Sequence, residues 1–191
     1  IEEVNGQQTK LIYQNYSEIF SFSVRKDVIA FNSYSGETSI LLNQKLHARF
    51  RTSYGYIPSP LIRDNVVLLG ENHVRFLSFN GKELKYIKLP QRMLKILEGK
   101  REELVIWLAD RQKIVKIKGG TLENIETKID GLISDITLKG DTLFVSTSKG
   151  KIYLVDIVRK KEIKVIETNL GEIASIALHP QNQLIAAISL E

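Results

Sequence analysis

The sequence predicts an all-β fold, and three observations carry that prediction. A short aliphatic segment recurs five times, as Val28-Ile29-Ala30-Phe31, Val66-Val67-Leu68-Leu69, Leu104-Val105-Ile106-Trp107, Leu143-Phe144-Val145-Ser146 and Leu184-Ile185-Ala186-Ala187. The first residues of these copies lie 38, 38, 39 and 41 positions apart. Between them no apolar stripe of helical spacing is sustained. Short apolar runs dominate instead, bounded by Gly, Asn, Asp and Pro. A period near forty filled with short strands and turns is the signature of a β-propeller made of four-stranded antiparallel blades.

The elements follow in order. Residues 1–15 offer two strands about Asn5-Gly6, a half-blade. Residues 16–52, 58–90, 91–130 and 131–170 each divide into four strands, and the last of these is the clearest. There the first strand, a, is Ile133–Lys139 and the second, b, is Thr142–Thr147. Strand c covers 151–157 and strand d 162–168, with turns at Gly140-Asp141, 148–150 and 159–161. Residues 171–191 supply strands a and b and then stop. The two half-blades are complementary, and the interval that would complete the ring is 35 residues, close to the internal period. The expectation is therefore one domain over 1–191, a five-bladed ring closed by pairing of its ends, which removes exposed strand edges. The alternative is a piece of a larger propeller.

Composition narrows the function classes. A hydrophobic fraction of 43% is enough for a core, and no apolar run is long enough to span a membrane as a helix. The start Ile1-Glu2-Glu3 has neither the basic region nor the apolar core of a signal peptide. There is no cysteine, which removes disulfides, thiolate metal sites and cysteine nucleophiles together and fits a reducing, cytoplasmic setting. Heavy use of Ile, Lys and Glu with a single Met is a thermophile-like composition. The net charge of +5 permits an acidic partner without demanding one.

Two segments carry a family resemblance. Residues 173–189, Ile-Ala-Ser-Ile-Ala-Leu-His179-Pro180 followed by Gln-Asn-Gln and Leu184-Ile-Ala-Ala-Ile-Ser189, resemble strand a, the proline-containing turn and strand b of the WD-repeat propellers. Lys151-Ile-Tyr-Leu-Val-Asp156 resembles that family's strand c, with Tyr-Leu-Val-Asp where Trp-Asp usually ends it. The repeats are degenerate: no blade has the Gly-His pair and no strand c ends in Trp-Asp. Asp156 followed by a basic turn also resembles a looser, quinoprotein-like repeat. The WD-repeat resemblance implies a rigid disc that binds other proteins on its faces and is not an enzyme, with no cofactor.

The residues themselves offer little catalytic chemistry. His47, His73 and His179 fall in a d strand, a b–c loop and an a–b turn, without metal-ligand spacing, so no metal is expected. There is no Gly-x-Ser-x-Gly elbow, phosphate loop or calcium loop. Aligning the a strands places Ser21, Lys95, Asp135 and Ser175 at matching positions facing a central channel. A glycan-active enzyme needs two carboxylates about 5–9.5 Å apart, and this row supplies one. Asp135 and Lys95 are expected to pair with each other. Glu102-Glu103 read as solvated turn residues.

Loop sorting gives the partner expectations. The b–c and d–a loops share one face, which collects Tyr16, Tyr34, Tyr54, Tyr56, His73, Arg92, Asp110, Arg111 and Lys149. Exposed Tyr beside Arg is hot-spot composition, so Tyr34, Tyr54, Tyr56, Arg92 and Arg111 are the candidates for binding another protein. The a–b and c–d loops share the other face. There Arg25, Lys26, Arg159, Lys160 and Lys161 are candidates for nucleic acid or another polyanion. No aromatic platform interleaves these cations, so nucleic acid is the less favoured partner, and no membrane partner is expected.

Overall fold

The computed structural model describes residues 2–5, 8–51, 61–62, 64–100, 103–110, 112–181 and 184–190. Among them are twenty strands and no helix. The chain divides into two compact units, Ile1–Pro90 and Gln91–Glu191.

The first unit opens with the hairpin β1 (Glu2–Asn5) and β2 (Gln8–Leu11), a two-stranded sheet. A four-stranded antiparallel sheet follows from β3 (Ile19–Arg25), β4 (Val28–Ser33), β5 (Glu37–Leu42) and β6 (Lys45–Arg51). The next is built from β7 (Leu61–Ile62), β8 (Val66–Leu69), β9 (His73–Leu77) and β10 (Glu83–Lys88). The second unit has two further four-stranded sheets. One runs through β11 (Met93–Glu98), β12 (Leu104–Leu108), β13 (Ile114–Lys118) and β14 (Thr121–Ile125). The other runs through β15 (Ile133–Lys139), β16 (Thr142–Thr147), β17 (Lys151–Asp156) and β18 (Lys161–Glu167). It ends with the two-stranded pair β19 (Ile173–Leu178) and β20 (Ile185–Ser189).

Why the second strand of the first three four-stranded sheets reads as an unbroken aliphatic run is visible in the packing. Alternate residues of a strand face opposite sides of the sheet. In β4, Val28 and Ala30 pack with Val66, Leu68 and Leu77 of the following sheet. Ile29 and Phe31 pack the other way, against Ile12, Tyr13 and Ile19. Both faces are buried, so both parities must be apolar. In the second unit the same logic joins β11–β14 to β15–β18 through Val105, Trp107, Ile114, Ile133, Val145 and Tyr153. Ile152 meets Ile173 and Ile176 of β19 in the same way. The core thus lies between sheets.

A second repeat appears only in the structure. The pairing of first with second strand slips by one residue at the same place in four sheets: at Ile19/Ser21, Met93/Lys95, Ile133/Asp135 and Ile173/Ser175. A bulge of this kind re-aims the side chain that follows it. The residues re-aimed are the four that align in sequence, Ser21, Lys95, Asp135 and Ser175.

Candidate functional site

Within each sheet the loops sort onto two ends, and backbone hydrogen bonds fix the sorting. The residue leaving the second strand donates its amide to the carbonyl of a residue just before the first strand: Tyr34 to Glu18 (3.0 Å), Ala109 to Arg92 (2.8 Å), Ser148 to Leu132 (2.9 Å) and Leu190 to Glu172 (3.1 Å). At the other end the c–d turn donates to the a–b turn, Asn43 to Asp27 and Ile157 to Asp141, both at 3.0 Å.

In the first unit, the b–c and d–a end carries two exposed tyrosines. Tyr16 is fully exposed and Tyr34 is 70% exposed. The segment that presents Tyr16 is braced from below. Arg49 of β6 donates to the Tyr13 hydroxyl at 2.7 Å, to Asn15 Oδ1 at 3.3 Å and to Ser39 Oγ at 3.3 Å. Tyr13 then lies against Phe31, with ring centroids 5.5 Å apart. Asn15 Nδ2 donates to the Ser17 carbonyl, closing the turn around Tyr16. Tyr54, Tyr56 and Arg111 lie outside the described residues.

In the second unit the same end is ionic. Arg92 is exposed, and its carbonyl takes the Ala109 amide. Asp110 Oδ1 accepts the amides of Gln112 and Lys113, which forms the b–c turn. Asp130 pairs with Lys149 at 2.5 Å and with Lys151 at 3.5 Å, and Lys151 also reaches Glu167 at 3.4 Å. The hydrogen bond from Lys149 is the main reason the Asp130 carboxyl sits below its ordinary value.

The a–b and c–d end differs from the sequence expectation. Glu103 is fully buried rather than solvated. The register that sets Leu104 opposite Ile117 places Glu103 beside Lys118, whose Nζ lies 3.2 Å from Glu103 Oε1. Lys116, also buried, approaches Glu103 and Glu123 at 3.8 and 3.6 Å and donates to the Ile157 carbonyl at 2.9 Å. Glu102 lies outside the described residues. Lys160, a polyanion candidate, pairs with Glu123 at 2.8 Å, and Arg159 approaches Asp156 at 3.8 Å. Arg25, Lys26 and Lys161 are exposed. Asp156, the residue at the Trp-Asp position, accepts the amides of Val158 and Arg159 and so shapes the c–d turn.

The aligned row forms a linked set in the second unit. Asp135 Oδ1 accepts from Lys95 Nζ at 2.6 Å and from its neighbouring Ile136 amide at 2.8 Å. Its Oδ2 accepts from Ser175 Oγ at 2.8 Å and from the Ile176 amide at 3.0 Å. One carboxylate therefore ties three first strands together. Burial pushes the Asp135 carboxyl up, but the Lys95 ammonium, the Ile176 amide and the Ser175 hydroxyl together outweigh it and hold the group below the usual carboxylate range. The paired Asp135 and Lys95 are as the sequence alignment expects. Ser21, in the first unit, accepts instead from Asn32 at 3.5 Å.

Each histidine has its own local partner. His47 Nε2 meets Asn80 Oδ1 at 2.9 Å, and His179 Nδ1 accepts the Gln181 amide. His73 is the first residue of β9 rather than a loop residue, and it stacks on Tyr86. Its pKa is lowered by burial and by Arg75, against a smaller opposing pull from Glu83.

The fold has a structural counterpart. The crystal structure of the β-propeller domain of Cps50 (Swd1) from Myceliophteria thermophila superposes with a TM-score of 0.67 at 14% identity, over 92% of this chain. The chain has the β-propeller fold. It spans 64% of that domain's length. No family model matches the propeller's sequence, and no curated protein matches it.

Proposed function

We propose that this propeller is a non-catalytic protein–protein interaction module, a degenerate relative of the WD-repeat propellers, that binds a partner protein through its b–c and d–a loops. The observation that supports this reading best is the pair Tyr16 and Tyr34. Both are solvent-exposed, and their loops are tied by the Tyr34–Glu18 hydrogen bond. Two large rings are thus held mostly exposed beside a segment braced by Arg49. Such residues are what a partner buries. By the sequence reading, Tyr54, Tyr56, Arg92 and Arg111 belong to loops of the same kind and remain candidates, of which Tyr54, Tyr56 and Arg111 lie outside the described residues.

The competing readings have less support. Lys160 and Arg159 face carboxylates on the polyanion end, which reduces the field available there. Both oxygens of Asp135 are committed to donors, and a carboxyl held below its usual range makes a poor general acid for glycan cleavage.

Replacing Tyr16 and Tyr34 together by Ala is expected to weaken partner binding by at least tenfold, roughly 1.4 kcal/mol or more, with the thermal midpoint unchanged. Binding that survives the double replacement would end this reading. Completion of a fifth blade by residues 1–15 and 171–191 is a further proposal. Deleting residues 1–11, which spares Ile12, Tyr13 and Asn15 and their contacts with Phe31 and Arg49, should then lower the thermal midpoint, and an unchanged midpoint would contradict it.

A further inference from the structure

The fourth strands of the four sheets are not equally protected against pairing. An outer strand presents unpaired amides and carbonyls, and proteins blunt such edges with bulges and charges. β6 is bulged opposite Ile40/Leu41 and carries Lys45, Arg49 and Arg51. β10 is bulged at Glu83/Lys85, and β18 is bulged opposite Leu154/Val155 with four charged residues. β14, Thr-Leu-Glu-Asn-Ile, has no bulge and a single charged residue. Its register with β13 runs unbroken from Lys118–Thr121 to Ile114–Ile125. Its one charge, Glu123, is engaged by Lys116 and Lys160.

The turn tells which groups face outward. Gly119 and Gly120 both have positive φ (53° and 76°), the requirement of a two-residue type I′ hairpin. The closing pair Lys118–Thr121 of such a hairpin is the hydrogen-bonded kind, and the kinds alternate along the ladder. Leu122 and Asn124 therefore fall at non-hydrogen-bonded pairs and direct their amides and carbonyls to the open edge.

A second observation lies where β14 ends. A groove of about 480 Å³ is lined by Gln112, Lys113, Asn124, Glu126, Thr127 and Lys128, with Ile114 and Ile125 in its floor. Lys128 has no ion-pair partner among the described residues, and Lys113 holds Asp110 only at 3.6 Å. The groove offers amide and hydroxyl groups with a net positive lining.

We infer that the outer edge of β14 and this groove form a second docking site, which takes an extended peptide segment of a partner protein as a fifth strand, with a carboxylate of that segment against Lys128. Main-chain hydrogen bonds supply the affinity in strand addition, and the flanking pocket supplies selectivity. This site is separate from the tyrosine-bearing loops of the proposed function.

The test uses the whole chain and a phage-displayed library of linear peptides, followed by synthesis of the enriched sequence. Enrichment of alternating β-branched residues with an acidic residue is expected. The synthetic peptide should slow hydrogen exchange at the Leu122 and Asn124 amides. Asn124→Pro, which removes an outward donor and leaves the inner ladder intact, should weaken binding about tenfold or more. Lys128→Glu, a change at an exposed side chain, should weaken it as well, whereas the Tyr16/Tyr34 double replacement should not. Three results would overturn the inference: no enrichment above that on the Asn124→Pro chain, protection located away from β14, or a self-associating chain that Asn124→Pro renders monomeric. The last would make the occupant a second copy.

Discussion

Asp135→Ala is expected to cost about 3 kcal/mol of stability at neutral pH, read by urea unfolding. The reasoning starts from its four donors. Removing the carboxylate orphans the Ile136 and Ile176 amides, which belong to buried residues, and strands the Lys95 ammonium and the Ser175 hydroxyl. A buried donor left without a partner costs roughly 1–3 kcal/mol. Lys95 is more than a third exposed and can rehydrate, so its share is small and the estimate stays below the full cost of a broken buried ion pair. Asn is a poor rescue, because each carboxylate oxygen already serves two donors and an amide would turn one of them into a donor itself. The pH dependence has a definite sign. A carboxyl whose folded pKa lies below its unfolded value, about 3.9, contributes fully above that value and loses its contribution as pH falls through the folded pKa. The gap between parent and variant should therefore hold from neutrality down to about pH 4 and shrink below it. A gap under about 1 kcal/mol at neutral pH, or one that grows in acid, would show that the row does not join the strands.

Gly150→Ala is expected to destabilise by about 3–5 kcal/mol. Gly150 has φ +69°, and a Cβ there would lie 2.1 Å from the Leu170 carbonyl oxygen and 2.9 Å from that of Gly171. Both obstacles are backbone, so no side-chain rotation relieves the clash. The loop they belong to is also fastened to Gly150 itself. Its carbonyl accepts the Thr168 amide at 3.0 Å and the Thr168 hydroxyl at 2.6 Å, and that hydroxyl accepts the Leu170 amide. Moving the loop breaks what holds it. Gly119→Ala is the internal control. Gly119 also has positive φ, but nothing lies within 4 Å of its Cβ position, so only the left-handed conformation is penalised, by about 1 kcal/mol. Equal effects at the two positions, measured as shifts of the denaturant midpoint, would contradict the close approach at Gly150.

The parts of this fold that were legible in the sequence are those set by local patterning. The second strand announces itself because both its faces are buried, which forces continuous aliphatic runs such as Val28–Ser33 and Leu104–Leu108. Ile133–Lys139 and Thr142–Thr147 fall where the repeat put them. The Lys95–Asp135 pair was legible too, because a regular repeat brings equivalent positions of neighbouring blades side by side. Glu103 was not. A charged residue in a turn reads as solvated, and its neutralising lysines lie across a ladder whose register the sequence does not announce. The only available signal was the hairpin pairing that sets Glu103 against Lys118. The bulge common to the first strands was equally hidden, since an extra residue in a strand leaves the apolar pattern almost intact. The weak point of the candidate site is similar in kind. Tyr16 and Tyr34 look alike to Tyr13 in sequence, yet Arg49 and Phe31 draw Tyr13 into the structure, whereas Tyr16 and Tyr34 keep most of their surface exposed.

The most direct measurement is site-specific photo-crosslinking in extract of the source cells, with a photoreactive phenylalanine analogue placed at Tyr34 or, as a control, at exposed Leu46 on the outer strand β6. Covalent adducts with one discrete protein from position 34, absent from position 46 and lost on Tyr16→Ala, are the expected result. Adducts from position 46 alone would contradict binding through the tyrosine-bearing loops.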